Sequence, residues 1–156
     1  MRYRIASTNK IKESFILEGE KEYLKRFPKD VRVECLCLGG ERFGDLESKA
    51  QKKKHFELLM KSREKGEFLV LLDERGKQFS SQELAQFFNK KMLGGDARFL
   101  LAIGGPYGWS EEAREEADLV LSLSKLTFPN QIARLLCVEQ LYRVTNILKG
   151  GNYHKE

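Results

Sequence analysis

Two short, unbroken apolar runs constrain this chain more than anything else in it: Phe68-Leu69-Val70-Leu71-Leu72 and Phe99-Leu100-Leu101-Ala102-Ile103. A strand that alternates apolar and polar residues exposes one face; a strand apolar at every position must be covered on both. Such strands occur in parallel sheets with helices packed above and below. The rest of the chain supplies the helices. Apolar residues at Phe15, Ile16, Tyr23, Leu24 and Phe27 predict an amphipathic helix over 11–27, stopped by Pro28. Further helices are predicted over 46–63, over 80–93 with Ser80 and Glu83 as a capping box, over 111–117, and over 129–148. Strands are predicted at 3–7, at 31–38 closed by Gly39-Gly40, at 68–72, at 98–103 and at 118–123. The alternation predicts an α/β fold with a mostly parallel sheet flanked by helices, as one domain over 1–156.

The final helix is apolar around most of its circumference: Ile132, Leu135, Leu136, Cys137, Val138, Leu141, Tyr142, Val144, Ile147 and Leu148. A helix apolar on nearly all sides needs cover on nearly all sides. Either the chain's own sheet and helices wrap it, or a second copy does; a homodimer is the expectation. No apolar run reaches the ~18 residues that span a bilayer, and the first residues lack the pattern of a secretion signal, so the cytoplasm is the expected compartment. Cys35, Cys37 and Cys137 have no metal-site spacing and are expected to be buried, reduced thiols. No metal site is expected.

Candidate chemistry gathers at strand ends, where parallel α/β sheets bind ligands. Three segments lie there: Leu72 to Lys77, Ile103 to Gly108, and Ser122 to Pro129. Gly104 and Gly105 allow unusual dihedrals and close backbone approach to a ligand, or else they only form a tight structural turn. The pattern is neither a dinucleotide fingerprint nor a phosphate loop, which disfavours phosphate cradling but leaves an adenosine-type ligand held by backbone groups. Ser122 and Lys125 spell the Ser-x-x-Lys of penicillin-recognising enzymes, but the companion motifs are missing. Two histidines offer no credible nucleophile set for a hydrolase.

The net charge of +5 and a pI near 9.1 admit a nucleic-acid partner. Lys49, Lys52, Lys53, Lys54 and His55 share one helix, which is either a solvated face or an RNA-backbone contact. Arg134 and Arg143 on the last helix need anionic partners, either a phosphate or acids such as Glu139. In the tail, Tyr153 could stack on a base and His154 could exchange protons near neutral pH; the alternative is a disordered terminus.

Several motifs in order resemble one family. They are Glu22-Tyr23-Leu24-Lys25-Arg26-Phe27-Pro28, Leu72-Asp73 with Gly76-Lys77, Ile103-Gly104-Gly105-Pro106 with Gly108, Ser122-Leu123-Ser124 with Leu126-Thr127 and Pro129, Glu139 with Leu141-Tyr142-Arg143, and Tyr153-His154. Collinear over nearly the whole chain, they are similar to the RlmH methyltransferases of the SPOUT superfamily. The resemblance implies a C-terminal trefoil knot, an obligate homodimer and S-adenosyl-L-methionine as cofactor. It implies methylation at N3 of a pseudouridine in helix 69 of 23S ribosomal RNA on assembled ribosomes, with no membrane or DNA partner. Residue-wise, Leu72, Gly104, Gly105, Ser124, Lys125, Leu126, Thr127, Phe128 and Pro129 would hold the cofactor. His154, Tyr153 and Arg143 would be catalytic, His154 as proton acceptor or relay. One position departs: the family usually has Pro-His where this chain has Pro129-Asn130, and Asn cannot titrate. The alternatives are methylation of another RNA base, such as one in tRNA, and a non-catalytic ribosome-binding module.

Overall fold

The computed structural model describes residues 1–39 and 47–155. Among the described residues five strands and five helices alternate: β1 (Arg2–Ser7), α1 (Ser14–Leu24), β2 (Arg32–Cys37), α2 (Ser48–Ser62), β3 (Phe68–Lys77), α3 (Ser81–Leu93), β4 (Arg98–Ile103), α4 (Glu111–Glu116), β5 (Leu119–Leu121) and α5 (Asn130–Leu148). The strands form one sheet in the order β2-β1-β4-β3-β5, and every pairing is parallel. The expected turn at Gly39-Gly40 and the expected helix start at Leu46 fall partly or wholly outside the described residues. The first helix is shorter than its periodicity predicts. It stops at Leu24, and residues 25–27 form a turn in which the Lys25, Arg26 and Phe27 amides donate to carbonyls of Lys21, Tyr23 and Leu24. At the start of α3, the Ser80–Glu83 capping box is present in both directions.

Side chains of the buried strands divide by parity, which creates two cores. Tyr3, Ile5, Phe68, Val70, Leu72, Phe99, Leu101 and Ile103 meet Leu84 and Phe88 of α3 and Val138, Leu141 and Val144 of α5. Ala6, Leu69, Leu71, Leu100 and Ala102 point the other way, to Leu59 of α2 and Ala113 of α4. The layers are therefore helix, sheet, helix. Each fully buried aliphatic side chain contributes roughly 1.5–3 kcal/mol, which explains why both apolar runs are unbroken.

Its own chain covers one side of α5, burying Cys137, Val138, Leu141 and Val144. The helix packs on α1 and α3 and against β1 and β4. Ile132, Leu135, Leu136, Tyr142, Ile147 and Leu148 remain only partly covered. Arg134 is buried and pairs with Glu20 of α1, not with Glu139: Nε and Nη2 reach the two carboxylate oxygens at 2.8 and 2.7 Å, and Nη1 donates to Ser7 Oγ at 3.0 Å. This clamp ties α5 to α1 and β1, and it needs no phosphate.

The cysteines are free. Cys137 is buried and Cys35 half-buried, whereas Cys37 is exposed, because β2 is an edge strand. Burial pushes the Cys35 thiol up to about 12. Among the described residues no group of three or more His, Cys, Asp or Glu could hold a metal, and no helix is long and apolar enough to cross a membrane.

Candidate active site

A cavity of about 330 Å³ opens at the carboxyl ends of β3, β4 and β5. Its walls come from the three segments that the sequence singles out. Leu72, Gly104, Gly105, Ser124, Leu126, Thr127 and Phe128 all line it. Lys125 and Pro129 belong to the same loop, are exposed, and are not among the lining residues. Asn130 and Ala133, at the start of α5, complete the wall on one side and Lys52 of α2 on another.

Each wall has a local cause. β3 leaves its ladder with β5 after Leu72, bulges outward through Asp73, Glu74 and Arg75, and returns where Lys77 pairs with Leu121. Gly76 makes the return possible: a Cβ there would lie 2.6 Å from the Val120 carbonyl oxygen. Asp73 is held in the bulge by its own turn, accepting from the Arg75 amide at 3.0 Å, and by Arg114 of α4 at 2.9 and 3.0 Å. The loop after β5 is shaped by serines. Ser122 Oγ donates to the Ser124 carbonyl at 2.9 Å, and Ser124 Oγ accepts from the Leu126 amide at 3.0 Å. Thr127 Oγ1 then donates to Glu74 Oε2 at 2.9 Å, joining this loop to the β3 bulge across the cavity.

The loop after β4 separates the roles of its glycines. Of its three, only Gly108 has positive φ, at +71°. It closes a turn in which its amide donates to the Gly105 carbonyl at 2.9 Å. Packing rather than φ restricts the other two, tightly at Gly104 and prohibitively at Gly105. A Cβ on Gly104 would sit 3.1 Å from Trp109 Nε1, and one on Gly105 would sit 2.5 Å from His55 Cε1. His55 is thus not part of the basic face of α2; it is buried beneath the β4 loop.

The three expected catalytic residues lie elsewhere. Arg143 is ten residues beyond Ala133 on α5, or about 15 Å along the helix axis. It pairs with Glu139 one turn earlier, and its guanidinium lies over the Tyr153 ring at 4.7 Å. The Tyr153 hydroxyl reaches Glu139 Oε1 at 3.1 Å and Tyr23 Oη at 3.3 Å. Arg143 Nη1 is 3.3 Å from His154 Nδ1. Arginine can only donate, so a hydrogen bond between them has Nδ1 as its acceptor. Burial, followed by the contacts with Tyr23 and Glu139, pushes the Tyr153 phenol well above its usual range, which makes it a donor rather than a base. The tail itself is anchored: the Tyr153 amide donates to Asn146 Oδ1 at 2.9 Å. Within one chain, the cluster and the cavity are therefore separate.

Sequence reasoning missed Arg114, the Glu74–Thr127 contact and the buried position of His55. Nothing local marks them, because each acts from an element distant in sequence.

A parallel α/β sheet with a looped cavity at its carboxyl edge and a long C-terminal helix leading away from it belongs to a recognised class. The family described as "Predicted SPOUT methyltransferase" matches residues 1–154, and the chain belongs to that family. Its relatives carry a particular name. The chain is 41% identical over 159 residues to the ribosomal RNA large subunit methyltransferase H of Syntrophomonas wolfei, covering 99% of this chain and 100% of the relative. It is 38% identical to the protein of that name from Symbiobacterium thermophilum, with the same coverage. To the one from Christiangramia forsetii it is 47% identical over 110 residues, 70% of each chain.

Proposed function

We propose that this protein methylates N3 of a pseudouridine in helix 69 of 23S ribosomal RNA on assembled ribosomes, using S-adenosyl-L-methionine and acting as a homodimer. The observation that carries the reading is the division of the site: a ligand-sized cavity at the sheet edge and an aromatic, cationic cluster about 15 Å along α5. A second copy that brings its tail to the first copy's cavity would unite them. The partly covered Ile132, Leu135 and Leu136 on α5, with exposed Phe15 and Leu17 on α1, supply the apolar surface for such pairing. The C-terminal trefoil knot belongs to the same reading.

The cavity suits the cofactor. Its volume falls within the roughly 300–1,000 Å³ of small-molecule sites. At Gly104 and Gly105 the backbone itself forms the wall, and Leu72, Leu126 and Phe128 offer apolar cover for a nucleoside. Asp73, Glu74, Arg75 and Lys52 supply both charge signs around a ligand that bears an amino acid and a sulfonium. When bound, S-adenosylmethionine provides an electrophilic methyl group, so the chain's own task is alignment and proton handling. Leu72 and the 122–128 loop orient the donor. Tyr153 and Arg143 hold the base and its phosphate. His154 accepts the N3 proton, directly or through a relay, once Arg143 exchanges its Nδ1 contact for substrate.

The test is transfer of tritiated methyl from S-adenosylmethionine to ribosomes lacking the modification and, separately, to bulk tRNA, followed by mass spectrometry of the labelled nucleotide. Label on the helix 69 pseudouridine is the expected result. Label on tRNA would replace the substrate. A protein that releases no heat on titration with the cofactor would be a ribosome-binding module instead.

A further inference from the structure

We propose that His55 is a positioning residue for the cofactor site: its imidazole fixes the Gly105 backbone at the cavity wall and so sets how well the site holds S-adenosylmethionine, without lining the cavity. The inference rests on the reading of that cavity as the cofactor site. His55 is 3% exposed, in a helix whose other cationic side chains reach solvent. An ideal Cβ on Gly105 would lie 2.5 Å from His55 Cε1, 2.9 Å from Nδ1 and 3.5 Å from Thr8 Oγ1. The ring therefore occupies the space in which any side chain at position 105 would stand.

Gly105 does not have positive φ, so its backbone would accept alanine. Only the ring behind it requires glycine. The other side of Gly105 faces the cavity, and its carbonyl accepts the Gly108 amide that closes the turn. The peptide is thus held from behind by an aromatic plate and from within by the turn bond. The plate has a rigid mount, because Phe56 and Leu59 on the same helix pack with Ala6, Leu100 and Ala102 of the sheet. Burial lowers the imidazole's proton affinity, which keeps the ring neutral and suited to close packing at neutral pH. Misplacing a binding group by about 1 Å is enough to weaken a site, and the ring removes that freedom.

The experiment is a double-mutant cycle of His55→Ala and Gly105→Ala, read by calorimetric titration with S-adenosylmethionine and S-adenosylhomocysteine, by Tm, and by KM and kcat. Gly105→Ala is expected to weaken cofactor binding by about tenfold, because the new methyl collides with the ring and displaces the turn. His55→Ala should raise Kd and cofactor KM severalfold and leave kcat at saturating cofactor nearly unchanged. The double variant should bind better than Gly105→Ala alone, since the methyl then occupies the vacated ring space. His55→Gln, which keeps a polar side chain of similar length, provides the same comparison if His55→Ala fails to fold. A lowered Tm with unchanged Kd and KM for the position 55 variants would overturn the proposal, as would a double variant that binds no better than Gly105→Ala. Loss of binding by the unaltered protein would instead overturn the cofactor reading beneath it.

Discussion

Removing Glu20 should be among the most damaging single changes to this fold. Both members of the Glu20–Arg134 pair are almost fully buried, with side chains 7% and 8% exposed. The carboxylate receives two arginine N–H donors at 2.8 and 2.7 Å; without it, the guanidinium loses its anionic partner and keeps neutral contacts such as Ser7 Oγ. Leaving a buried charge without its partner costs about 3–5 kcal/mol. For a chain of this length, roughly 2–4 °C of Tm accompany each kcal/mol, so Glu20→Ala should lower Tm by roughly 6–20 °C. Urea titration at fixed protein concentration should show the midpoint falling with m unchanged. Glu20→Gln, which keeps shape and one acceptor, should lose less. Replacing both residues by methionine should recover most of the loss, because no charge is then buried. A Glu20→Ala protein within about 1 kcal/mol of the parent would refute the reasoning.

The remaining predictions concern separate features. Ser80→Ala removes the acceptor for the Glu83 amide and should cost about 1 kcal/mol by the same titration. Lys52→Glu at the cavity mouth should raise KM for ribosomes and reduce the salt dependence of binding by about 0.7–0.9 in log–log slope if Lys52 meets one phosphate; an unchanged slope removes it from the RNA contact. His154→Ala should cut the methylation rate while cofactor affinity measured by calorimetry stays the same, and full turnover would exclude His154 from proton handling. Tyr153→Phe keeps the ring over which Arg143 lies and loses only the hydroxyl contacts, so it should be milder than Tyr153→Ala in a single-turnover methyl-transfer assay.

Period and composition were sufficient for the layer architecture. The runs at 68–72 and 99–103 could only be buried on both faces, and every strand and helix that they implied is present. The strand-end segments were also legible, because ligand sites in parallel sheets occur at one edge and glycines and serines mark its loops. Helix ends were less legible: α1 stops at Leu24 although its apolar spacing continues to Phe27, since local pattern does not register competition from a turn. What the tertiary structure alone decided is partnership. Arg134 could have met Glu139 or a phosphate; a carboxylate 114 positions earlier took it. Gly105 looked like a residue chosen for backbone freedom, yet its φ is ordinary and an imidazole from another layer is what forbids a side chain there. Periodicity follows from each residue's neighbours along the chain, while contacts between layers depend on how several elements converge in space, and no single segment carries that information.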